Sequence, residues 1–102
     1  MELTDYATVR TWLRSTGWDE NDSRLGLLRE FCETVERNPD QMIDECLRLV
    51  TEGQFKLRGK TRRGYVERIE EFEEGHGGRA RGNVVRSFFI HNGVPIQAPI
   101  LR

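Results

Sequence analysis

The chain lacks long hydrophobic runs, and we expect no secretory leader. Its apolar runs, such as residues 88–90, are only a few residues long, whereas a helix that crosses a membrane needs about 20 apolar residues. The first residues include Glu2 and Asp5, where a signal peptide would have basic and apolar regions. With 102 residues, the chain has the size of one ordinary domain. We therefore expect a single cytoplasmic domain with no membrane association.

Paired cysteines and clustered metal ligands are also missing. Cys32 and Cys46 lack CxxC spacing, and neither His76 nor His91 has a Cys or a second His at ligand spacing. The string Gly75-His76-Gly77-Gly78-Arg79 lacks the Lys-Ser/Thr ending of a phosphate loop. We expect reduced, buried thiols, no cofactor, no metal and no catalytic residue.

Alternation of apolar and polar residues, which marks a half-buried strand, is equally scarce. Apolar residues instead recur every three or four positions, which predicts an all-α fold: a compact bundle of four longer helices with a short leading helix. We expect Gly17 and Gly93 to end the first and last helices, and Pro39 to begin the third. The predicted helices cover residues 4–16, 19–37, 39–52, about 62–74, and 79 or 81 to 92. The predicted core residues are Trp12, Leu28, Phe31, Val35, Ile43, Leu47, Ile69, Phe72, Val85, Phe88 and Phe89.

The charges are unevenly divided along the chain. Residues 1–53 hold twelve acidic and six basic residues, a net charge of −6, whereas residues 54–102 hold five acidic and ten basic residues, a net charge of +5. The total of −1 therefore hides a basic half, which a polyanion can use as a footprint. Four acids of the second half are expected to face solvent, away from a bound polyanion: Glu70, Glu71, Glu73 and Glu74.

Two basic segments stand out in the second half. One leads into the fourth helix, and the other lies at the start of the last helix, whose N-terminus also presents free backbone N–H groups. Cationic side chains, an amide and a positive helix end suit phosphate groups and can reach base edges. The candidate DNA-binding residues are Lys56, Arg58, Lys60, Arg62 and Arg63 in the first segment, and Arg79, Arg81, Asn83 and Arg86 in the second. The alternative is a solubilising surface whose cations pair with the acidic half.

Two residues of the last helix allow two interpretations each. Arg86 follows Val85, which is predicted to face the core, so Arg86 either contacts DNA or pairs with an acid on another helix. Gly82 costs the helix roughly 1 kcal/mol relative to Ala, and it permits the close approach either of another helix or of a phosphate backbone. Taken together, we expect both basic segments to form one surface that faces duplex DNA.

A family resemblance runs through most of the chain. Residues 83–96, NVVRSFFIHNGVPI, resemble the last helix of the N-terminal core-binding, SAM-like domain of tyrosine recombinases, the phage integrase family. In that helix an Arg-Ser-Phe-Phe-like motif precedes an exit of Asn-Gly-hydrophobic-Pro character. The order of the other parts is similar: a Trp-Leu segment with Gly at 12–17, a Leu-Leu-Arg-x-Phe-Cys helix at 27–32, an Asn-Pro-Asp turn, and an Arg-Ile-Glu-Glu-Phe helix at 68–72. The resemblance spans about residues 8–97.

The resemblance implies a core-binding SAM-like domain at residues 1–97, followed by the start of a linker or a C-terminal tail at 98–102. It implies a domain that clamps double-stranded DNA beside the catalytic domain of the same parent protein, a recombinase that works as an oligomer on DNA. We expect the catalytic residues to belong to that other domain, so this chain is no enzyme by itself. The alternative function is a helical protein–protein interaction domain with no nucleic-acid role.

Overall fold

Five α-helices and one two-stranded hairpin make up the computed structural model, which describes residues 2–51, 54–75 and 78–96. The prediction of a helical fold is therefore confirmed in its coarse form. After a short 3₁₀ helix at Leu3–Asp5, the elements are α1 (Ala7–Thr16), α2 (Arg24–Val35), α3 (Pro39–Cys46), β1 (Leu47–Thr51), β2 (Gln54–Leu57), α4 (Gly59–Gly75) and α5 (Gly78–His91). Within the described residues, no helix is both long and apolar enough to cross a membrane.

Local sequence signals set several helix ends where we predicted them. Gly17 and Gly93 follow α1 and α5 with φ angles of 78° and 90°, a conformation that glycine adopts without a steric penalty. Pro39 is the first residue of α3, and the Asn38 side chain accepts a hydrogen bond from the Gln41 backbone N–H at 2.8 Å. This cap satisfies one of the N–H groups that a helix start leaves unpaired.

The prediction that the third helix continues to residue 52, in a fold without strands, is wrong. α3 ends at Cys46, and β1 then pairs antiparallel with β2, with Leu47 opposite Leu57. The strands have only five and four residues, so neither is long enough to show the six-residue alternation that would predict a strand. Their hydrogen bonds join two segments, and the apolar spacing of either segment alone does not reveal them.

The helices α4 and α5 form an antiparallel pair. α4 begins at Gly59, three residues before the predicted start. Along the pair, the ring of Tyr65 lies 5.3 Å from that of Phe89, between centroids, and the Arg81 guanidinium covers the ring of Phe72. The start of each helix therefore lies beside the end of the other.

The predicted core is confirmed, because all its members are buried except Leu47, which is half-buried against the others. α5 is the central helix and contacts α1, α2 and α4. At the α1–α5 contact, the indole of Trp12 donates from Nε1 to Ser87 Oγ at 3.1 Å. The same ring makes edge-on contacts with Trp18 and Phe88. Burial of these large rings stabilises the bundle by the hydrophobic effect.

Candidate nucleic-acid interface

The first basic segment is exposed at the start of α4. Arg58 immediately precedes the helix, Lys60 lies in its first turn and Arg63 one turn later, and all three side chains are exposed. We call these three residues the α4 cluster. The structure leaves these three predicted DNA-binding residues exposed to a ligand.

The other two members of this segment are placed differently. Arg62 is half-buried, and its Nη1 donates to the carbonyl oxygen of Pro95 at 3.2 Å. The backbone of Lys56 lies in β2 opposite Arg48, and its side chain is outside the described part of the structure. Arg62 therefore helps to hold the chain after α5, in addition to any contact with a ligand.

The order of charges along α4 opposes the helix dipole. Its first turn has no acidic residue and its last turn has no basic residue. Lys60 and Arg63 are exposed near the start, and Glu71 and Glu74 are exposed near the end. The helix dipole favours the reverse order, by about 0.3–1 kcal/mol for each charge at low ionic strength. This order therefore costs stability in the free protein, and an anion bound at the helix start offsets that cost.

At the start of α5, two predicted DNA-binding residues have different environments. Arg79 is exposed. The Arg81 guanidinium lies 3.8 Å from the centroid of the Phe72 ring, and its Nη1 lies 3.5 Å from the carboxylate of Glu30. Its side chain is only 16% exposed. Arg81 is therefore occupied by contacts with α2 and α4.

The assignment of Arg86 to a DNA-facing surface is wrong. Its side chain is 4% exposed, and its Nη1 and Nη2 donate to the two carboxylate oxygens of Glu73 at 2.9 and 2.7 Å. The alternative, an ion pair with an acid on another helix, is confirmed. Glu73 also does not face solvent as predicted, since its side chain is only 15% exposed. The reason is that the α4–α5 packing turns position 73 toward α5.

The neighbours of Arg86 complete this buried contact. Asn83 is exposed, but its amide oxygen accepts a hydrogen bond from Arg86 Nη1 at 3.0 Å. A Cβ at Gly82 would overlap the Cγ, Cδ and Oε2 atoms of Glu73. Gly82 therefore permits the close approach of another helix, and this interpretation, rather than approach to a phosphate backbone, is confirmed.

The two basic segments lie at opposite ends of the α4–α5 pair. The second segment is beside the end of α4, where Arg81 covers Phe72. With a rise of about 1.5 Å per residue, the α4 axis advances about 18 Å from Lys60 to Phe72. Between these positions the exposed side of α4 carries two acids, Glu67 and Glu71, together with Arg68, which is not one of the predicted residues. The nine predicted residues therefore do not form one continuous surface.

A cleft that no motif in the sequence indicates lies beside the α4 cluster. It has a volume of about 180 Å³ and opens to solvent between the end of α2, α3 and α4. The side of α4 that lines it has residues three or four positions apart, which is the only sequence signal for it. The cleft is lined by Val35, Arg37, Glu45, Thr61, Gly64, Tyr65 and Arg68.

One carboxylate in this cleft is held by two donors. The Tyr65 hydroxyl donates to Glu45, and Arg37 Nε donates to Glu45 Oε2 at 3.2 Å. Burial and the hydrogen bond to Glu45 raise the pKa of Tyr65 well above its usual value. The phenol therefore stays protonated and remains a donor at neutral pH.

Cys32 and Cys46 are free and buried, as predicted. Burial, together with the charge of Glu33, raises the pKa of Cys32 to about 12. Burial raises the pKa of Cys46 to about 11, although the nearby charges of Arg58 and Arg62 act to lower it. Because the thiolate is the reactive form, both groups are unreactive thiols at neutral pH.

The histidines and acids of the described residues form no metal-binding group. Across residues 2–51, 54–75 and 78–96, no three His, Cys, Asp or Glu side chains are close enough together to hold a metal ion. His91 is exposed at the end of α5, and His76 lies outside the described residues.

Comparison with known proteins identifies no relative. No protein family, no curated protein and no solved structure matches the chain. Any function assigned to the chain therefore depends on its own residues and their placement.

Proposed function

We propose that this chain is a DNA-binding domain that contacts the phosphate backbone of duplex DNA through the start of α4. The observation that carries the proposal is the α4 cluster, three exposed cations at a helix start with no acid in the first turn. A helix start of this kind favours anions, because its free N–H groups and its dipole are positive. The guanidinium groups of Arg58 and Arg63 add bidentate donors suited to phosphate.

The order of charges along α4 favours this proposal over a surface that serves solubility alone. Cations increase solubility equally well at either end of a helix, and at the C-terminal end the dipole stabilises them. In α4 they lie at the end where they destabilise the free protein. When a phosphate backbone is bound, the same cations become stabilising. Phosphate binding is therefore a physical reason for cations at the start of α4.

The resemblance to recombinase core-binding domains extends the proposal. We propose that the helices form a SAM-like bundle, that the chain is not an enzyme by itself, and that it clamps DNA in the cytoplasm beside a separate catalytic domain of an oligomeric recombinase. Much of the 83–96 segment that carries the resemblance is core: Val85, Phe88, Phe89, Val94 and Ile96 are buried. These residues support a likeness in helix packing. Reading the gene beyond the codon of Arg102 tests for the catalytic domain.

A duplex titration over a range of salt concentrations tests the DNA-binding proposal. An isolated domain that mainly contacts phosphates should bind with a Kd of roughly 10⁻⁴ to 10⁻⁶ M at physiological salt. The double variant Lys60→Gln, Arg63→Gln should bind more weakly. Its slope of log K against log salt should be smaller by about 1.8, since each phosphate contact contributes about 0.9.

A matched control separates local contacts from overall charge. The double variant Arg14→Gln, Arg29→Gln also removes two exposed cations, from α1 and α2, and it should keep the wild-type affinity and slope. If both double variants lose the same affinity, the effect depends only on the net charge of the protein. Absence of duplex binding at low salt would contradict the proposal and favour the protein–protein interaction domain.

A further inference from the structure

We infer that the cleft beside the α4 cluster seats one phosphodiester group of the DNA backbone. The inference rests on the proposed function. It adds a DNA contact made by residues outside the α4 cluster. Four features of the cleft carry it: its size, its unused donors, its net charge and its position along α4.

The size of the cleft fits a small anionic group. Its volume of about 180 Å³ is below the roughly 300–1,000 Å³ of pockets that enclose small organic ligands. It is also open to solvent rather than enclosed. A phosphodiester needs such a half-open site, because the sugars on both sides of it stay outside.

The walls of the cleft carry donors that make no contact with another described residue. Arg37 donates from Nε to Glu45 and from Nη1 to the Glu36 carbonyl, so its Nη2 has no partner among the described residues. Arg68 is exposed, and it forms no ion pair within the described part of the chain. The Thr61 hydroxyl likewise makes no hydrogen bond to another described residue. Two guanidinium groups and a hydroxyl are the donors that phosphate oxygens accept from.

The cleft has a net positive charge. Arg37 and Arg68 contribute two positive charges, and Glu45 contributes the negative one. Glu45 is held by Tyr65 and Arg37 at the side of the cleft, so it orients Arg37 as well as reducing the total charge. An Arg fixed in this way binds an anion with less loss of side-chain entropy than a free one.

The cleft lies next to the α4 cluster on the same helix. Thr61 follows Lys60 along α4, and Gly64 follows Arg63, so the cluster and the cleft occupy adjacent faces of the same two turns. A Cβ at Gly64 would meet nothing within 4 Å. The protein itself therefore gives no steric reason for glycine here, and the space above it belongs to the cleft.

Two variants and their controls test the inference with labelled duplex DNA. Arg68→Gln should weaken duplex binding about fivefold, the upper range for one exposed ion pair, and lower the salt slope by about 0.9. Gly64→Ala adds one methyl group to the cleft. It should weaken duplex binding and raise Tm, because Ala favours the helix.

Gly26→Ala is the matched control for Gly64→Ala. Gly26 is also in a helix, α2, and also has open space where a Cβ would lie. This variant should raise Tm without changing duplex binding. Arg14→Gln serves as the corresponding control for Arg68→Gln.

The outcomes separate this inference from the proposed function. If wild-type protein does not bind duplex at low salt, both fail. If Lys60→Gln, Arg63→Gln weakens binding but Arg68→Gln and Gly64→Ala do not, the cleft inference is overturned and the proposed function stands. Inorganic phosphate provides one further comparison. If it shifts the amide signals of Thr61 and Gly64 while both cleft variants bind duplex normally, the cleft takes free phosphate and the inference is again overturned.

Discussion

The starts of α4 and α5 carry similar charges in different surroundings. At the start of α4, Lys60 and Arg63 extend into solvent. At the start of α5, Arg81 lies on the ring of Phe72, and one turn later Arg86 is buried against Glu73. α4 therefore leaves these cations exposed, whereas α5 uses two of its own to hold the bundle together.

The neighbouring helices account for this difference. α5 is packed among α1, α2 and α4, and two of these neighbours contribute acids: Glu30 from α2 and Glu73 from α4. The α4 cluster has no such acid within salt-bridge distance among the described residues. A basic segment thus indicates a binding surface only where the fold leaves its cations unpaired.

The largest effect should come from breaking the buried ion pair at α5. Glu73→Ala leaves Arg86 buried without its carboxylate, which should lower the free energy of unfolding by about 3–5 kcal/mol. Urea unfolding followed by circular dichroism measures this loss. Glu71→Ala removes an exposed acid from the same helix and should change stability by no more than about 0.5 kcal/mol. Equal effects of the two variants would mean that the pair is unimportant for the fold.

The next effect is a loss of stability at alkaline pH that the two buried thiols, Cys46 and Cys32, should cause. In the unfolded chain both thiols ionise near the ordinary pKa of 9.0, whereas the folded pKa values are about 11 for Cys46 and about 12 for Cys32. The stability from keeping both thiols neutral is therefore complete below pH 9 and is lost as the pH rises through the folded values. At pH 10 the loss should be about 2–3 kcal/mol for both together, since each pH unit corresponds to about 1.4 kcal/mol per group.

Unfolding in urea at pH 8 and pH 10 measures this alkaline loss. A variant with Cys32→Ala and Cys46→Ala should lose much less stability between the two pH values, whatever its stability at pH 8. The same loss in wild type and variant would assign the alkaline effect to other groups. Arg58→Gln should raise the pKa of Cys46 further, because the Arg58 charge acts to lower it.

A smaller effect should follow from adding a methyl group where α5 meets Glu73. Gly82→Ala gains roughly 1 kcal/mol of helix propensity, but its Cβ overlaps the Glu73 side chain. Overpacking of this kind costs about 1–3 kcal/mol, so we expect a net loss of about 1 kcal/mol. Gly26→Ala, which meets no atom within 4 Å, should instead be stabilising. A Tm increase in Gly82→Ala equal to that in Gly26→Ala would contradict the close contact.

The smallest effect should appear in DNA binding, and it compares the two helix starts directly. Arg63→Gln should lower the slope of log K against log salt by about 0.9, whereas Arg81→Gln should leave it unchanged. Titration of labelled duplex at several salt concentrations measures both slopes. If Arg81→Gln lowers the slope as much as Arg63→Gln does, Arg81 leaves the Phe72 ring to bind DNA, and the contrast between α4 and α5 disappears.

The fold was predictable where one segment carries its own signal. Asn38 and Pro39 mark the start of α3, and Gly93 marks the end of α5, because capping depends on a few consecutive residues. The apolar spacing likewise identified the buried side of each helix. The β1–β2 hairpin was not predictable in this way, since its hydrogen bonds join two short segments.

The candidate site was predictable only in part. Arg58, Lys60 and Arg63 were identified from their density of charge. Density of charge does not identify Arg68, because its helix turn also contains acids, or Arg37, because it lies in the acidic half of the chain. Apart from the spacing of three or four positions along α4, nothing local in the sequence indicates the cleft, which exists only where α2, α3 and α4 meet.

By itself, the sequence determined the helical character, the core and the division of charge, because spacing and side-chain chemistry act within one segment. Only the tertiary structure decided which arginines remain available. Glu30 lies on α2, and Phe72 and Glu73 lie on α4. Helix packing brings them against Arg81 and Arg86 of α5. An ion pair depends on distances of a few ångströms between side chains, and the chain sets those distances only when it folds.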